Sequence, residues 1–402
     1  MITSAVRNLR VIFAAAFLNG THGAMTRAQL QLFVLSLSSY MPFVALVDGV
    51  ANSLGPSLVQ VGGGWLADRA GRRLPLIMGS VLVLLSGAAF LGAVYWGSPV
   101  VALGAAALLG AGTMGAPARE ALLAESTDTM RRRDAFNILA VCAAAPGVFA
   151  AAVAGWLVIR TRGFGVVFEV MIVLEAIVLA LYVFLLRESV KGRLADHLHP
   201  DRFREFLRHV VSIDPRLRAF LVLIAIDGFL WGIGYKILWG MLKASERLTA
   251  GEIGLLASVS IASWVVFKSP VGWAMSRWGC RACLVISEIC GGLGLIGVIV
   301  VRGQGVLPLV PCVMLTGLIP AFWVPAVRVL MVNSVGQEQR AEGLGKLALF
   351  TGASGFVGGI VGGLLYQASS IVVPLAVNAV GAAAMVVALL LFVRESPQNE
   401  IR

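Results

Sequence analysis

A ten-residue signature occurs twice in this chain, once in each half. Residues 64–73 read GWLADRAGRR, and residues 272–281 read GWAMSRWGCR, 208 positions further on. Glycine, tryptophan, arginine, glycine and arginine recur at equivalent positions, and each copy lies between two long apolar segments. A repeat of this kind indicates two related units, each of which connects apolar segments through a basic turn.

The composition excludes a soluble globular protein. The 402 residues are 58% hydrophobic and only 13% charged. Apolar runs of about 20 residues recur along the whole chain, which is the length that a helix needs to cross a bilayer. The runs are continuous rather than alternating, which disfavours a β-barrel. They predict an all-α membrane protein whose first run stays as an uncleaved anchor. About twelve transmembrane helices are expected, near 9–34, 41–66, 74–97, 100–125, 135–158, 165–187, 217–242, 252–275, 282–301, 305–332, 343–366 and 370–393.

The net charge of +11 follows the pattern of a membrane protein rather than of a nucleic-acid-binding protein. With the N-terminus inside, 21 of the 32 lysine and arginine residues fall on cytoplasmic segments and five on external loops. This asymmetry is the positive-inside rule. It predicts a multi-pass protein of the cytoplasmic membrane with both termini in the cytoplasm, in contact with lipids and without nucleic acid.

The repeat extends far beyond the signature. The same offset of 208 relates Gly20 to Gly228, Pro117 to Pro325, Gly147 to Gly355, and Gly155 to Gly363. We therefore expect a monomer of two six-helix bundles, 1–187 and 217–402, inserted in the same orientation. The polar segment between them, 188–216, has apolar residues at helical spacing, which predicts an amphipathic helix on the inner membrane face.

At these positions the chain resembles the major facilitator superfamily. Residues 64–73 match the G-x-L-A-D-R-x-G-R-R signature of that family, and Glu125 with Arg132 resemble its E-x6-R pattern. The copies of these patterns in the second half match the family less well, and Ser276 stands there in place of the acid of the signature. The resemblance implies two pseudo-symmetric six-helix bundles and a secondary transporter that works by alternating access without a cofactor.

The resemblance also implies a gate. In that family the signature turn holds the cytoplasmic side closed while the cavity opens outward, with its acid facing a helix N-terminus of the other half. The alternative is that the basic turn only sets the topology. The residues expected in this gate are Gly64, Asp68, Arg69, Gly71, Arg72, Arg73, Glu125, Arg132, Gly272, Arg277 and Arg340.

Polar residues on helices 1 and 7 predict the substrate cavity, because ionisable groups inside a membrane are expensive and usually functional. In the family, helices 1, 4, 7 and 10 line the cavity. Helix 1 has Asn19, Gly23 and Arg27 on one stripe, and helix 7 has Asp227, Trp231 and Tyr235 at the same spacing. An ion pair that only packs the helices is the alternative. The expected cavity residues are Asn19, His22, Arg27, Asp227, Trp231, Tyr235 and Trp323.

Charges on helices 4 and 10 predict an inner gate. Helix 4 carries Arg119 and Glu120, and helix 10 carries Arg328, which is the repeat partner of Glu120. We expect a Glu120–Arg328 ion pair that forms only in the outward-open state. Coupling to protons needs a carboxylate that changes its protonation state, and Asp227 and Glu120 are the best placed candidates. His22 is a third.

The driving force must be an ion or substrate gradient, because the chain has no nucleotide-binding phosphate loop. An enzyme is not expected, since three of the four histidines lie on the linker, and no metal site is expected from the five cysteines. The predicted partners are a small-molecule substrate and protons or another coupling ion. Proton-coupled efflux of small amphiphilic compounds is the first prediction. Uptake or exchange of a polar or anionic metabolite or sugar is the alternative, and a non-transporting membrane sensor is an alternative of another class.

Overall fold

The computed structural model describes residues 2–128, 131–188, 218–334 and 340–393. Apart from Glu188, the predicted linker helix lies outside these residues. The described chain is helical, and we number its helices in chain order. They are α1 (Ile2–Leu37), α2 (Met41–Gly49, Val50–Leu54 and Gly55–Ala70), α3 (Arg73–Trp96), α4 (Pro99–Gly112, Thr113–Gly115 and Ala116–Glu125), α5 (Arg132–Ala144 and Gly147–Thr161), α6 (Gly165–Ala180 and Leu181–Leu185), α7 (Arg218–Ile233 and Leu238–Glu246), α8 and α9 (together Ala250–Val300, divided at Gly279), α10 (Leu309–Ser334), α11 (Arg340–Ala368) and α12 (Val372–Phe392).

Within the described residues, eleven helices have the length and the apolar composition needed to cross a membrane. Helix α1 is not among them, although it has 36 residues and packs against α2, α5 and α6. Its polar stripe, with Asn19, His22 and Arg27, makes it less hydrophobic than the others. We call the end of the bundle where α1 begins the proximal side, and the end where it finishes the distal side.

The two signature copies adopt the same backbone turn on the proximal side. Gly71 has φ +90° and ψ 168°, and Gly279 has φ +85° and ψ 171°. Glycine is the residue that adopts positive φ without a steric penalty. In each copy an arginine lies over the tryptophan four residues before it, with Arg69 4.3 Å from the Trp65 ring centre and the equivalent pair in the second copy 5.7 Å apart. The sequence repeat is therefore also a repeat of local structure.

Glycines bring helices into close contact at equivalent places in the two halves. Gly20 of α1 packs against the backbone of Ala143 in α5. Gly228 of α7 packs against the backbone of Thr351 in α11 in the same way. Small residues are the usual means by which membrane helices approach closely, because lipid offers no hydrophobic driving force for their association.

The first six and last six helices meet mainly through α2 with α11 and α5 with α8. A Cβ at Gly155 would overlap the backbone of Ala250, and a Cβ at Gly363 would overlap the backbone of Pro42. The repeat relates these two contacts, because Gly363 is the repeat equivalent of Gly155 and Ala250 is the repeat equivalent of Pro42. Both contacts lie at the distal ends of their helices, so the two halves are packed together on the distal side.

Two irregular segments face each other at this interface. Helix α2 contains a π-helical turn at Val50–Leu54, and α7 is interrupted between Ile233 and Leu238. Lys236, in the interruption, donates a hydrogen bond from Nζ to Ser53 Oγ in the π-turn at 2.9 Å. Departures from α-helical geometry of this kind are frequent at functional sites.

Candidate transport site

A cavity of about 420 Å³ lies among the first six helices. Apolar residues of α2, α3 and α4 line part of it, with Ala51, Pro56, Leu76, Val83 and Leu109. Its polar residues are Asn19, His22, Thr26, Arg27, Asn52, Gln60, Ser80, Thr113, Arg119, Glu175 and Tyr182. The cavity therefore offers hydrogen bonds, charge and apolar contact.

Arg27 extends into this cavity from the polar stripe of α1. It is exposed to the cavity space although it lies in the middle of a long helix. The guanidinium folds back over Gly23, where a Cβ would lie 3.5 Å from Nη2. Arg27 makes no hydrogen bond with a described residue, and its electrostatic neighbour is Asp48 of α2. Its donors are consequently available to a solute.

Arg119 supplies a second guanidinium to the same cavity from α4. Its Nε is buried and has no hydrogen-bond partner among the described residues. It lies near Tyr182, whose hydroxyl hydrogen bonds with the Asn19 side chain. The sequence interpretation assigned Arg119 to the gate. The structure also places it in the cavity lining.

His22 and Glu175 form a buried pair in the cavity wall. His22 Nε2 lies 2.9 Å from Glu175 Oε2 and 3.1 Å from Asn19 Oδ1. Ser80 of α3 donates a hydrogen bond to the other carboxylate oxygen of Glu175. Sequence reasoning gave Glu175 no role, because α6 is peripheral in the family. An acid in an otherwise apolar helix was the available signal.

Asp227 lies in a separate cluster among α7, α9 and α10. Its Oδ2 accepts a hydrogen bond from Trp323 Nε1 at 2.5 Å, and Trp231 Nε1 donates to both carboxylate oxygens of Glu288 at 3.1 Å. The Asp227 and Glu288 carboxyl groups are in contact and are only 2% and 1% exposed. The two tryptophans predicted as cavity residues thus bind acids here, and they do not line the cavity of the first six helices.

A third polar cluster connects the two halves beside Arg27. Gln31 Nε2 donates to the carbonyl oxygen of Lys236 at 2.6 Å, and Gln31 Oε1 accepts from the Gly240 N–H at 2.7 Å. Asp48 accepts a hydrogen bond from Asn52 at 3.1 Å and lies in electrostatic range of Lys236. The cluster therefore joins α1 and α2 to the interrupted part of α7. Tyr235, predicted as a cavity residue, packs edge-on against Trp231 instead.

The first signature copy forms a compact ionic cluster on the proximal side. Arg72 binds Asp68 at 2.6 Å and Glu125 at 2.9 Å. Partial burial disfavours its charged form, but the hydrogen bonds to Asp68 and Glu125 outweigh burial and raise the pKa of Arg72. Glu188 accepts hydrogen bonds from the N–H groups of Arg72 and Arg73 at 2.8 and 2.9 Å. It thereby satisfies the free N-terminal donors of α3.

The other predicted gate residues do not form a closed gate in the part of the chain that the structure describes. Arg73 donates to the carbonyl oxygens of Tyr182 and Val183 in the π-turn of α6. The Asp68 side chain is 71% exposed, so it does not face a helix of the other half. Arg132, Glu120 and Arg328 are also exposed, and the described residues contain no Glu120–Arg328 ion pair. Gly64 lies beside Pro117, Gly272 has open space around it, and Arg277 lies over Trp273. The side chain of Arg340 lies outside the described part.

Among the described residues, twelve helices in two repeated halves pack together on the distal side, and a polar cavity lies within the first half. This is the arrangement of a secondary transporter. The family model of the Major Facilitator Superfamily matches residues 12–242 and 224–402. The chain belongs to the major facilitator superfamily. The predicted fold class and family are thereby confirmed, and so is the prediction of a transporter rather than an enzyme.

Solved structures of several transporters share the fold. A D-xylose–proton symporter is 14% identical with a TM-score of 0.75, covering 98% of both chains. A POT family transporter in complex with 5-aminolevulinic acid is 14% identical with a TM-score of 0.73, covering 96% of this chain and 95% of that one. The human organic anion transporter MFSD10 is 12% identical with a TM-score of 0.70, covering 96% and 99%. No protein with a curated description matches the chain in sequence.

Proposed function

We propose that this secondary transporter moves a small polar solute with an anionic group, and that protons either move in exchange for the solute or move together with it. The observation that supports the proposal is the pair of guanidinium groups, Arg27 and Arg119, in one cavity. Neither makes an ion-pair contact with a carboxylate in the described residues. A guanidinium inside a membrane is costly unless a partner of opposite charge compensates it, and its fork of donors suits carboxylate or phosphate oxygens.

The proton site in this proposal is the Asp227–Glu288 pair. Two carboxyl groups in contact and away from water do not both ionise, so one proton is held between them. The tryptophan donors on either side hold the geometry. Glu120, the other proton candidate, is exposed on the proximal side, so it is better placed in a gate than in a buried relay.

The orientation follows from the distribution of basic residues, which makes the proximal side cytoplasmic. On this assignment the described conformation is closed to the outside, and the side chains of Asp68, Glu120 and Arg328 are exposed on the cytoplasmic side. The two bundles, 1–187 and 217–402, would rock about the cavity to expose it alternately.

Efflux of small amphiphilic compounds is the second candidate function. The apolar lining residues Leu76, Val83 and Leu109 favour it, because an amphiphile could place its apolar part against them. The two functions differ in what the arginines must do. A polar anion needs them for binding, whereas an amphiphile without negative charge does not.

Flux and binding measured on the purified protein would separate the candidates. We expect carboxylate-containing solutes to raise the melting temperature of the wild type and to lose that effect in Arg27→Gln and Arg119→Gln. The matched control is Arg302→Gln, an exposed arginine on a distal loop. Stabilisation by uncharged amphiphiles that both variants retain would contradict the proposal and favour efflux. Absence of flux in proteoliposomes for every stabilising compound would favour a sensor.

A further inference from the structure

His22 has one ring nitrogen that the protein leaves without a partner. The residue is 6% exposed and lines the cavity of the first six helices. Its Nδ1 is fully buried and forms no hydrogen bond with any described residue. Buried polar atoms nearly always have a partner, and leaving one without costs a large part of its hydration free energy. A ligand atom that reached Nδ1 from the cavity would supply the missing partner; because the nitrogen is fully buried in the described conformation, such binding requires a neighbouring side chain to move.

The neighbours of the other nitrogen determine what that ligand atom must be. Nε2 faces two oxygen atoms, Glu175 Oε2 at 2.9 Å and Asn19 Oδ1 at 3.1 Å, both of them acceptors. Nε2 must then carry the hydrogen, and in a neutral imidazole Nδ1 is left as an acceptor. Ser80 fixes Glu175 by binding its second oxygen. The residues around His22 thus select one tautomer.

We propose that His22 is a specificity-determining residue that accepts a hydrogen bond from a hydroxyl or amino group of the substrate. Glu175 is the positioning residue that holds the required tautomer. This inference rests on the proposed function, in which Arg27 and Arg119 bind an anionic group in the same cavity. Together Arg27, Arg119 and His22 select hydroxy- or amino-carboxylates over carboxylates that lack a hydrogen-bond donor.

The expected difference in affinity between substrates with and without a hydrogen-bond donor can be estimated. A site built to accept a hydrogen bond rejects an analogue that cannot donate one, since the analogue leaves the acceptor buried and unpaired. One neutral hydrogen bond of this kind corresponds to about a tenfold difference in affinity. A merely structural histidine, buried between α1 and α6, would give no such difference between matched ligands.

The test compares matched acids and reads the tautomer directly. Binding to the purified full chain is measured for 2-, 3- and 4-hydroxy and amino acids and for the corresponding unsubstituted carboxylic acids. We expect at least one hydroxy or amino member to bind about tenfold more tightly than its unsubstituted match, and His22→Leu to abolish the difference. Ser80→Ala should weaken it, whereas Ser86→Ala, a second buried serine of α3 outside the cavity, should not.

Nitrogen-15 NMR of histidine-labelled protein provides a readout that does not depend on a ligand. The chain has four histidines, and the His22→Gln variant identifies the signal of His22. We expect the neutral tautomer with hydrogen on Nε2 at pH 7, kept in Glu175→Gln and lost in Glu175→Leu. A doubly protonated ring or hydrogen on Nδ1 would overturn the inference.

The two proposals fail in different ways. Carboxylate binding that depends on Arg27 but shows no preference for a hydroxyl or amino group would remove the role of His22 and leave the proposed function intact. Absence of carboxylate binding throughout the panel would overturn both.

Discussion

Two pairs of like-charged side chains inside the bundle lie in different halves. The cavity of the first six helices contains two guanidinium groups, Arg27 and Arg119. The cluster of the last six helices contains two carboxyl groups, Asp227 and Glu288. Substrate binding and proton binding would thus use different residues in different halves. Coupling between them would then run through the relative position of the halves rather than through direct contact.

Removing either buried carboxyl group should uncouple transport from protons. In Asp227→Asn or Glu288→Gln only one carboxyl group remains, so no proton can be shared between two acids. We expect accumulation driven by a pH gradient to fall at least about tenfold in proteoliposomes, while substrate exchange at equal concentrations continues. Glu169→Gln, an exposed acid of α6, is the control and should behave as the wild type. Loss of exchange and accumulation together would instead indicate a structural role for the pair.

Among the elements, the signature turn requires a backbone conformation that favours glycine. Gly71 combines positive φ with close contact to the Glu188 carboxylate, which a Cβ would overlap. That carboxylate in turn caps the N-terminus of α3 through the N–H groups of Arg72 and Arg73. The glycine, the cap and the ion pairs of Arg72 therefore depend on one another.

Alanine substitution of two glycines of the signature should have opposite effects on stability. At Gly71 alanine must adopt φ +90° with ψ 168°, a region essentially restricted to glycine, which costs about 1–3 kcal/mol, and it displaces Glu188 as well. At Gly272 the residue is helical with open space around it, so alanine should stabilise by about 0.5–1 kcal/mol. Thermal unfolding in detergent should show a lower melting temperature for Gly71→Ala and an equal or higher one for Gly272→Ala. Equal losses in both would contradict this account of the turn.

Sequence patterns predicted most helices closely and the contacts between them poorly. Helix α4 was expected at 100–125 and runs through Pro99–Glu125, because hydrophobicity and length alone define a spanning segment. The π-turns of α2 and α6 left no comparable pattern. On an ideal α-helix Lys236 lies on the face opposite Asp227, and only a break near Gly232 or Gly234 would bring the two to one face. The helix is interrupted after Ile233, yet Lys236 binds Ser53 of α2 instead, since only the folded packing decides which partner is near.

The candidate site shows the same limit. Polar spacing on α1 identified Asn19, His22 and Arg27, which do line one cavity. Spacing could not attach Glu175 and Ser80 to His22, because Glu175 lies 153 positions from His22 and 95 positions from Ser80 in the sequence.

At the scale of the whole molecule, the described close contacts between the halves lie on the distal side and in the middle of the bundle. The distal contacts of α2 with α11 and of α5 with α8 are related by the repeat, and we expect both to open when the bundle exposes its other face. The proximal residues Glu120 and Arg328, also related by the repeat, are exposed and unpaired in the described conformation. This is the arrangement required of a gate that is open on the proximal side.

Closure of the proximal side should bring Glu120 and Arg328 together as an ion pair. Once closure buries such a pair, leaving one charge without its partner costs about 3–5 kcal/mol, so the closed state becomes at least about a hundredfold rarer. We expect Glu120→Arg and Arg328→Glu each to reduce transport about tenfold or more, and the double variant to recover a large part of it. Flux in proteoliposomes at fixed protein content measures this. Arg302→Glu, on the distal side, is the control for a simple change of net charge. If the double variant were no better than either single one, the two residues would not be partners, and the proximal gate would depend on the Asp68–Arg72–Glu125 cluster alone.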